Sequence, residues 1–439
     1  MRLQYLTHST HSVAVSTLSI LAAAAMAPAP ADAADLGGDC CADLEERIAE
    51  LESTTARKGN RNVSLRVTGY VNRAVLFWDD GVENNAYSVG NKNDQTNVSF
   101  EGEAQISPGV KAGYAITIRI EDNLSDSVDQ GNSNAGDGFQ IWKSHWFIES
   151  EKLGRLAVGR ESRVSDTAPE TDLSETAVAG YAGVQDIGGG FLLRRTNGDL
   201  AGVAWGDLGN HFNGDTIDLV RWDSPEFAGF VVSASWGADD IWDVGLRYSG
   251  EGGGFKYEGV IAYTEVTDAP SDFADVDHST VVGSASILHA PTGLNATIAA
   301  GQRQFDATAL DNDGVLRTPE DATFIYVKLG WIGKCITSLG PTAFYGEYGR
   351  FKNYLTVTDD PDLIDSLGGN GLAGDRINST DRDVWGLGVV QHIEAAEMQV
   401  YLGYRHNEAD IDLVDGGGAI TSSGLDSFDT VVTGAKISF

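Results

Sequence analysis

The chain has 439 residues, 21% of them charged, and a formal net charge of -34. Such acidity argues against nucleic-acid binding, which needs basic patches. No run of about 18 apolar residues follows the N-terminal region, so no spanning helix is expected; a transmembrane barrel remains open, since half of each barrel strand faces water.

Residues 1–34 read as a secretory signal. Arg2 supplies the positive start, Val13 to Ala25 is mainly apolar and small, and Ala31-Asp32-Ala33 has the small-x-small pattern of a cleavage site. Residues 35–60 predict a short periplasmic helical segment, with Leu44, Ile48 and Leu51 on one stripe and Glu45, Glu46, Glu50 and Glu52 elsewhere. The stripe is too short for a stable lone helix. It either packs on the main body or pairs with copies of itself as a coiled coil.

From residue 61 to 439 the pattern is alternation of apolar and polar positions, the period of a strand. Strands are expected at 63–78, 96–106, 110–122, 140–150, 154–160, 216–223, 230–236 and 241–249. Eight more follow at 255–266, 279–289, 294–305, 322–332, 342–352, 382–392, 398–407 and 429–439. Connections after even-numbered strands are short, as in Ser107-Pro108-Gly109 and Glu151-Lys152-Leu153. Those after odd-numbered strands are mostly long and acidic, with 237–240 the exception. A soluble sandwich has no reason to sort its loops by parity, whereas an outer-membrane barrel puts turns in the periplasm and loops outside. The fold class predicted is therefore all-β: an antiparallel transmembrane barrel of about sixteen strands.

The strand faces agree. Tyr114, Ile116, Ile118 and Ile120 oppose Lys111, Thr117, Arg119 and Glu121. Trp142, Trp146, Trp222 and Trp331 stand near strand ends, where aromatic girdles mark the lipid boundary. Arg73 is a misfit, in phase with the outward Val71 and Val75. It faces a neighbouring subunit, or the register slips across Gly69.

Several stretches together resemble the alphaproteobacterial porin family. They are Asp39-Cys40-Cys41-Ala42-Asp43-Leu44-Glu45-Glu46-Arg47, Thr55-Ala56-Arg57-Lys58-Gly59-Asn60, Gly69-Tyr70-Val71-Asn72 with Phe77-Trp78-Asp79-Asp80-Gly81, and Arg221-Trp222-Asp223-Ser224-Pro225 with Phe227-Ala228-Gly229-Phe230. Phe344-Tyr345-Gly346-Glu347-Tyr348 and the terminal strand complete the set. The resemblance implies a homotrimeric sixteen-stranded porin in the outer membrane that passes small hydrophilic solutes and ions, narrowed by a third loop folded inward. Its partners would be lipid, lipopolysaccharide and the barrel-assembly machinery, which reads a terminal aromatic such as Phe439.

Residues 161–215 form the longest loop and mix acids (Glu161, Asp166, Glu170, Asp172, Glu175, Asp186) with apolar pieces. A loop of this size is usually functional, and its apolar pieces need a partner that the lumen supplies; the alternative is an external lid. Strand phase puts Arg66, Lys111, Arg119, Lys143, Arg155, Arg221, Arg247, Lys256, Arg405 and Lys436 on the lumen side, where lipid cannot penalise them. Facing the acidic loop, they would set a transverse field that tunes selectivity without tight binding.

Cys335 falls in an expected periplasmic turn, so a bridge to Cys40 or Cys41 is possible in that oxidising compartment; three free thiols are the alternative. Asp311, Asp313, Gly314 and Glu320 fit part of a calcium loop, but Ala309 stands at position one and cannot ligate. No other cofactor or metal is expected. Ser144 and His145 point to opposite strand faces and cannot form a dyad. Two classes remain: a general diffusion channel, favoured, or a barrel enzyme or adhesin.

Overall fold

The structure, a computed structural model, describes residues 63–136, 138–238, 240–267, 277–305, 309–310, 316–317, 320–355, 361–372 and 375–439. The expected signal segment, the helical segment expected at 35–60, Cys40, Cys41, Asp311 and Asp313 lie outside them.

Alternation in the sequence becomes a closed wall. The main sheet holds eighteen strands. Two of these, Asn84–Gly90 and Ile420–Ser422, are short extensions at one end, which leaves sixteen wall strands. They are β1 Arg66–Asp79, β2 Asn97–Ser107, β3 Val110–Ile120, β4 Phe139–Ser150, β5 Gly154–Ser162, β6 Thr216–Asp223, β7 Phe230–Gly237 and β8 Ile241–Gly252. The rest are β9 Phe255–Val266, β10 His278–His289, β11 Leu294–Phe305, β12 Ala322–Gly333, β13 Thr342–Lys352, β14 Arg376–Ile393, β15 Met398–Val414 and β16 Phe428–Ser438. Each pairs antiparallel with its sequence neighbours. β16 closes the barrel on β1 in a continuous register from Tyr70↔Ser438 to Asp79↔Asp429. A closed barrel satisfies every strand edge, which is the condition for crossing a bilayer with β structure. Among the described residues no helix is long and apolar enough to cross a membrane.

Burial is inverted relative to a soluble protein. Val232, Leu246, Ile261, Ile298, Ile325 and Leu402 are exposed on the outer face. Lys328, Glu347, Arg382, Arg405 and Asn407 are buried inside. Trp146, Trp222 and Trp331 are exposed on the outer face, where the girdle places them. Trp142 is a correction. Thr117 pairs with Lys143 but Ile118 with Ile141, so the ladder skips Trp142; the bulge turns its ring into the lumen.

The strand ends also moved. β14 starts at Arg376 and β15 runs to Val414, so part of two expected loops extends the wall. Residues 361–366 form a six-residue helix. In the first loop, Asn84–Gly90 continues as a strand on β1. The chain then leaves the wall at 91–96 through a 3-10 turn, Lys92–Asp94, whose side chains line the interior.

The third loop lies inside the barrel. The amides of Thr171 and Leu173 donate to Ser284 Oγ and Ser286 Oγ on β10. Ser165 Oγ donates to Asp243 on β8 at 2.8 Å. The second half of the loop builds an interior apolar core, where Phe191 and Trp205 meet Trp78 and Phe428 with ring centroids 4.9–5.7 Å apart. This is the partner that the apolar pieces of the loop required, and burying them there removes apolar surface from water.

Candidate functional site

The interior charges sort into three groups. The first anchors the loop. Lys328 on β12 pairs with Asp172 and donates from Nζ to Gly180 O at 2.8 Å and Thr176 Oγ1 at 3.1 Å. Burial alone would raise the Asp172 carboxyl, but Lys328 outweighs it and holds the group below the ordinary range. Arg405 on β15 pairs with Glu347 at 2.6 Å and donates from Nη2 to Tyr181 O at 3.0 Å. Between these anchors the backbone passes so close to Tyr345 that a Cβ at Gly180 would meet its ring 2.5–2.7 Å away. Only glycine fits there.

The second group braces the wall. Glu161 belongs to β5, not to the loop, which begins at Arg163; this corrects its expected place. Its carboxylate takes Lys143 Nζ at 3.0 Å, His145 Nε2 at 2.8 Å and Arg155 Nη2 at 3.1 Å. Arg221 pairs with Asp223 at 2.8 Å, and Arg247 Nη2 donates to Asp166 O at 3.2 Å. Lys436 pairs with Asp94 of the inward turn and stands 4.3 Å from the Tyr70 ring centroid. Arg66 pairs with Glu101, and Lys111 stands between Glu103 and Glu149; both lie at the turn end of the wall.

The third group surrounds an open cavity of about 1050 Å³. Asp166, Glu170 and Asp186 of the loop line it, opposite Arg119 of the wall. Of the ten wall cations expected to face the loop, Arg119 alone lines this cavity. Its guanidinium lies 3.4 Å from the Trp142 ring centroid, which the bulge made possible. The other lining cations, Lys92, Arg160, Arg163 and Arg303, escaped the sequence reading because they sit in loops or at strand ends, where phase is uninformative. Lys328 did carry a signal: it alternates with the outward Ile325, Leu329 and Trp331.

Asp186 shows how burial acts here. Its carboxyl is pushed from 3.8 up to about 6 by burial, against the pull of His211 and of the Tyr181 hydroxyl, which donates to it. Burial likewise raises Asp166. His211 Nε2 pairs with Glu170 at 2.8 Å.

Asp172 and Glu175 do not line this cavity. Asp172 is an anchor, and Glu175 faces a second hollow of about 490 Å³ toward the turn end, shared with Lys256 and Lys334. Cys335 is exposed on the 334–341 turn. Glu320 accepts a hydrogen bond from Asn353 Nδ2 at 3.0 Å. Phe439 is exposed on the outer face, its backbone exchanging bonds of 3.0 and 3.1 Å with Gly69.

A closed barrel with an apolar exterior, a charged interior and an inserted loop is the architecture of a channel. Residues 17–421 match the family model described as Gram-negative porin. The chain belongs to this family. Family and fold together make this porin a multi-pass β-barrel of the outer membrane, a channel for small solutes.

Over 162 residues the porin is 25% identical to a chitoporin of Vibrio furnissii, a match spanning 36% of this chain and 38% of that one. Among solved structures it is similar to OmpT, an outer membrane protein of Vibrio cholerae. The identity is 12%, the coverage 87% of this chain and 99% of that one, and the TM-score 0.50. A second OmpT structure is described as a trimer form. The anion-selective porin from Comamonas acidovorans is also 12% identical, with 86% and 100% covered and a TM-score of 0.52. At these identities the likeness shows the fold alone.

Proposed function

We propose that the porin is a homotrimer of water-filled channels through which small hydrophilic solutes and ions diffuse passively, without chemistry on the solute. It fits the alphaproteobacterial branch of the family, on the stretches from Asp39 to Arg47 and from Gly69 to Gly81. Lipid and lipopolysaccharide would surround the barrel, and the assembly machinery would read Phe439. The trimer form of OmpT is in keeping with the oligomer.

The observation that carries the reading is the lining of the main cavity. Seven carboxylates there stand against five Lys and Arg side chains, a balance that favours cations weakly. Three aromatic residues line it, and each already has a neighbour. Lys436 lies against Tyr70, Arg119 against Trp142, and the Tyr181 and His211 rings meet nearly perpendicular. None therefore offers a clear platform for stacking a sugar, which favours general diffusion over a saccharide-specific channel.

Planar-bilayer recording of the purified porin tests this. Discrete steps with conductance linear in salt are expected, and a KCl gradient should give a small cation-selective reversal potential. Saturable block by chito-oligosaccharides would replace the reading with a substrate-specific channel. Absence of steps would turn it toward a barrel enzyme or adhesin.

A further inference from the structure

Arg119 stands apart from the other cations of the main cavity. Lys92 is paired with Asp126 at 3.4 Å, and Arg163 stands 3.9 Å from Asp243. Arg160 Nε donates to Ile141 O at 2.9 Å, and Arg303 Nε donates to Thr280 Oγ1 at 3.2 Å. Among the described residues no carboxylate lies within ion-pair distance of Arg119, and its Nε is buried without a hydrogen-bond partner. Acids that share the cavity are engaged elsewhere. Asp94 pairs with Lys436, Glu170 with His211 at 2.8 Å, and Asp166 Oδ1 accepts from Asn213 Nδ2 at 3.1 Å.

What holds Arg119 is a ring. Its guanidinium carbon lies 3.4 Å from the centroid of Trp142, where the ring quadrupole attracts a cation. Regular alternation along β4 would send that ring to the lipid side with Ser144 and Trp146. It reaches Arg119 because the β3–β4 ladder passes from Thr117↔Lys143 straight to Ile118↔Ile141. A bulge gives up regular pairing and re-aims a side chain. Here it lays an indole against a guanidinium.

Stacking fixes the plane of the guanidinium but uses only its face. The N–H donors lie in that plane and are not spent on the ring. An edge free of any carboxylate is a fork for one, since two parallel N–H groups match two carboxylate oxygens. Chloride, a sphere, meets the charge but not the geometry. Arg119 lines the cavity, so the solute path runs past this edge. The surrounding acids keep such a seat weak, as conduction requires: a solute must be able to leave as well as enter.

We propose that Arg119, held flat by Trp142, is a carboxylate seat in the channel, with Trp142 as its positioning residue. Small solutes that carry a carboxylate are then favoured over inorganic anions. The inference rests on the open channel proposed above and names a preference within it.

The test is a bi-ionic potential on the full-length porin in a planar bilayer, with potassium acetate on one side and potassium chloride at equal concentration on the other. Potassium is balanced, so the potential reads the acetate-to-chloride permeability ratio. In the wild type this ratio should exceed the ratio of the two mobilities in bulk water by a factor of roughly two or more. Arg119→Lys keeps the charge but loses the fork, and should return the ratio to the bulk value with potassium-to-chloride selectivity unchanged. Trp142→Ala removes no charge and should lower the acetate ratio likewise, whereas Trp142→Phe keeps an aromatic face and should restore most of it. Discrete steps in each variant report a folded barrel. A wild-type ratio at the bulk value, or one that Arg119→Lys leaves unchanged, would overturn the seat and leave the channel standing. A ratio lowered by Arg119→Lys but not by Trp142→Ala would overturn the role of Trp142. Absence of steps in the wild type would overturn the channel and the seat together.

Discussion

The Lys328–Asp172 anchor supports the most demanding prediction. Lys328→Met removes the cation while keeping most of the side-chain volume. Asp172 then stays buried with neutral donors alone, among them the Ser174 amide at 2.9 Å and Thr297 Oγ1 at 3.2 Å, and Gly180 O and Thr176 Oγ1 lose the ammonium. Breaking a buried ion pair by deleting one partner costs about 3–5 kcal/mol. At 1.4 kcal/mol per tenfold, that raises the unseated population of the loop by roughly two to three and a half powers of ten. The cost falls on the loop, since the antiparallel ladder through Lys328 and its neighbours stays intact. The midpoint of the heat shift on unboiled gels should therefore change little. Hydrogen exchange of residues 172–181 should accelerate, and open-channel noise should rise. The double variant Asp172→Asn, Lys328→Met leaves no unpaired charge and should recover much of the loss. Unchanged exchange and noise in the single variant, or a double variant as poor as the single, would refute the anchor.

Two further predictions follow from named groups. Asp186 is raised from 3.8 to about 6, so the folded loop binds its proton more tightly than an unfolded one. The penalty on the ionised form, about 3 kcal/mol at 1.36 kcal/mol per pKa unit, is full above pH 6 and fades as pH falls toward 4. Loop protection from exchange should thus be greater at pH 5 than at pH 7. Asp126, Lys92, His211 and Tyr181 also bear on this carboxyl, so the diagnostic is the difference between wild type and Asp186→Asn; equal pH profiles would exclude Asp186 as the source. Phe439→Asp puts a charge at the rim, worth about 0–1 kcal/mol near an interface. It should cut the yield of assembled protein far more than the thermal stability of what assembles; undiminished yield would reduce Phe439 to a rim anchor.

The inserted third loop was legible from its length and its unpartnered apolar pieces, whereas the sixteen strands and the parity-sorted loops between them were legible for one physical reason. Lipid and water act on every wall residue locally, so each strand records its two faces by alternation, wherever its partners lie. The same alternation carried Lys328, even though its role did not show. What only the tertiary structure decided depends on groups brought together across the lumen. Asp172 meets Lys328 from 156 positions away, and Arg405 reaches the carbonyl of Tyr181 over 224. Phase reports that a charge points inward, but not whether it meets a loop acid, a wall acid or the cavity. The same holds for Trp142, which one skipped ladder position moved from lipid to lumen, and for residues 91–96, whose inward turn no periodicity announces. Arg73 lies between the two cases: its phase was readable and outward, while the partner that makes the position tolerable, Asp122, is supplied by the next loop folding back against the wall.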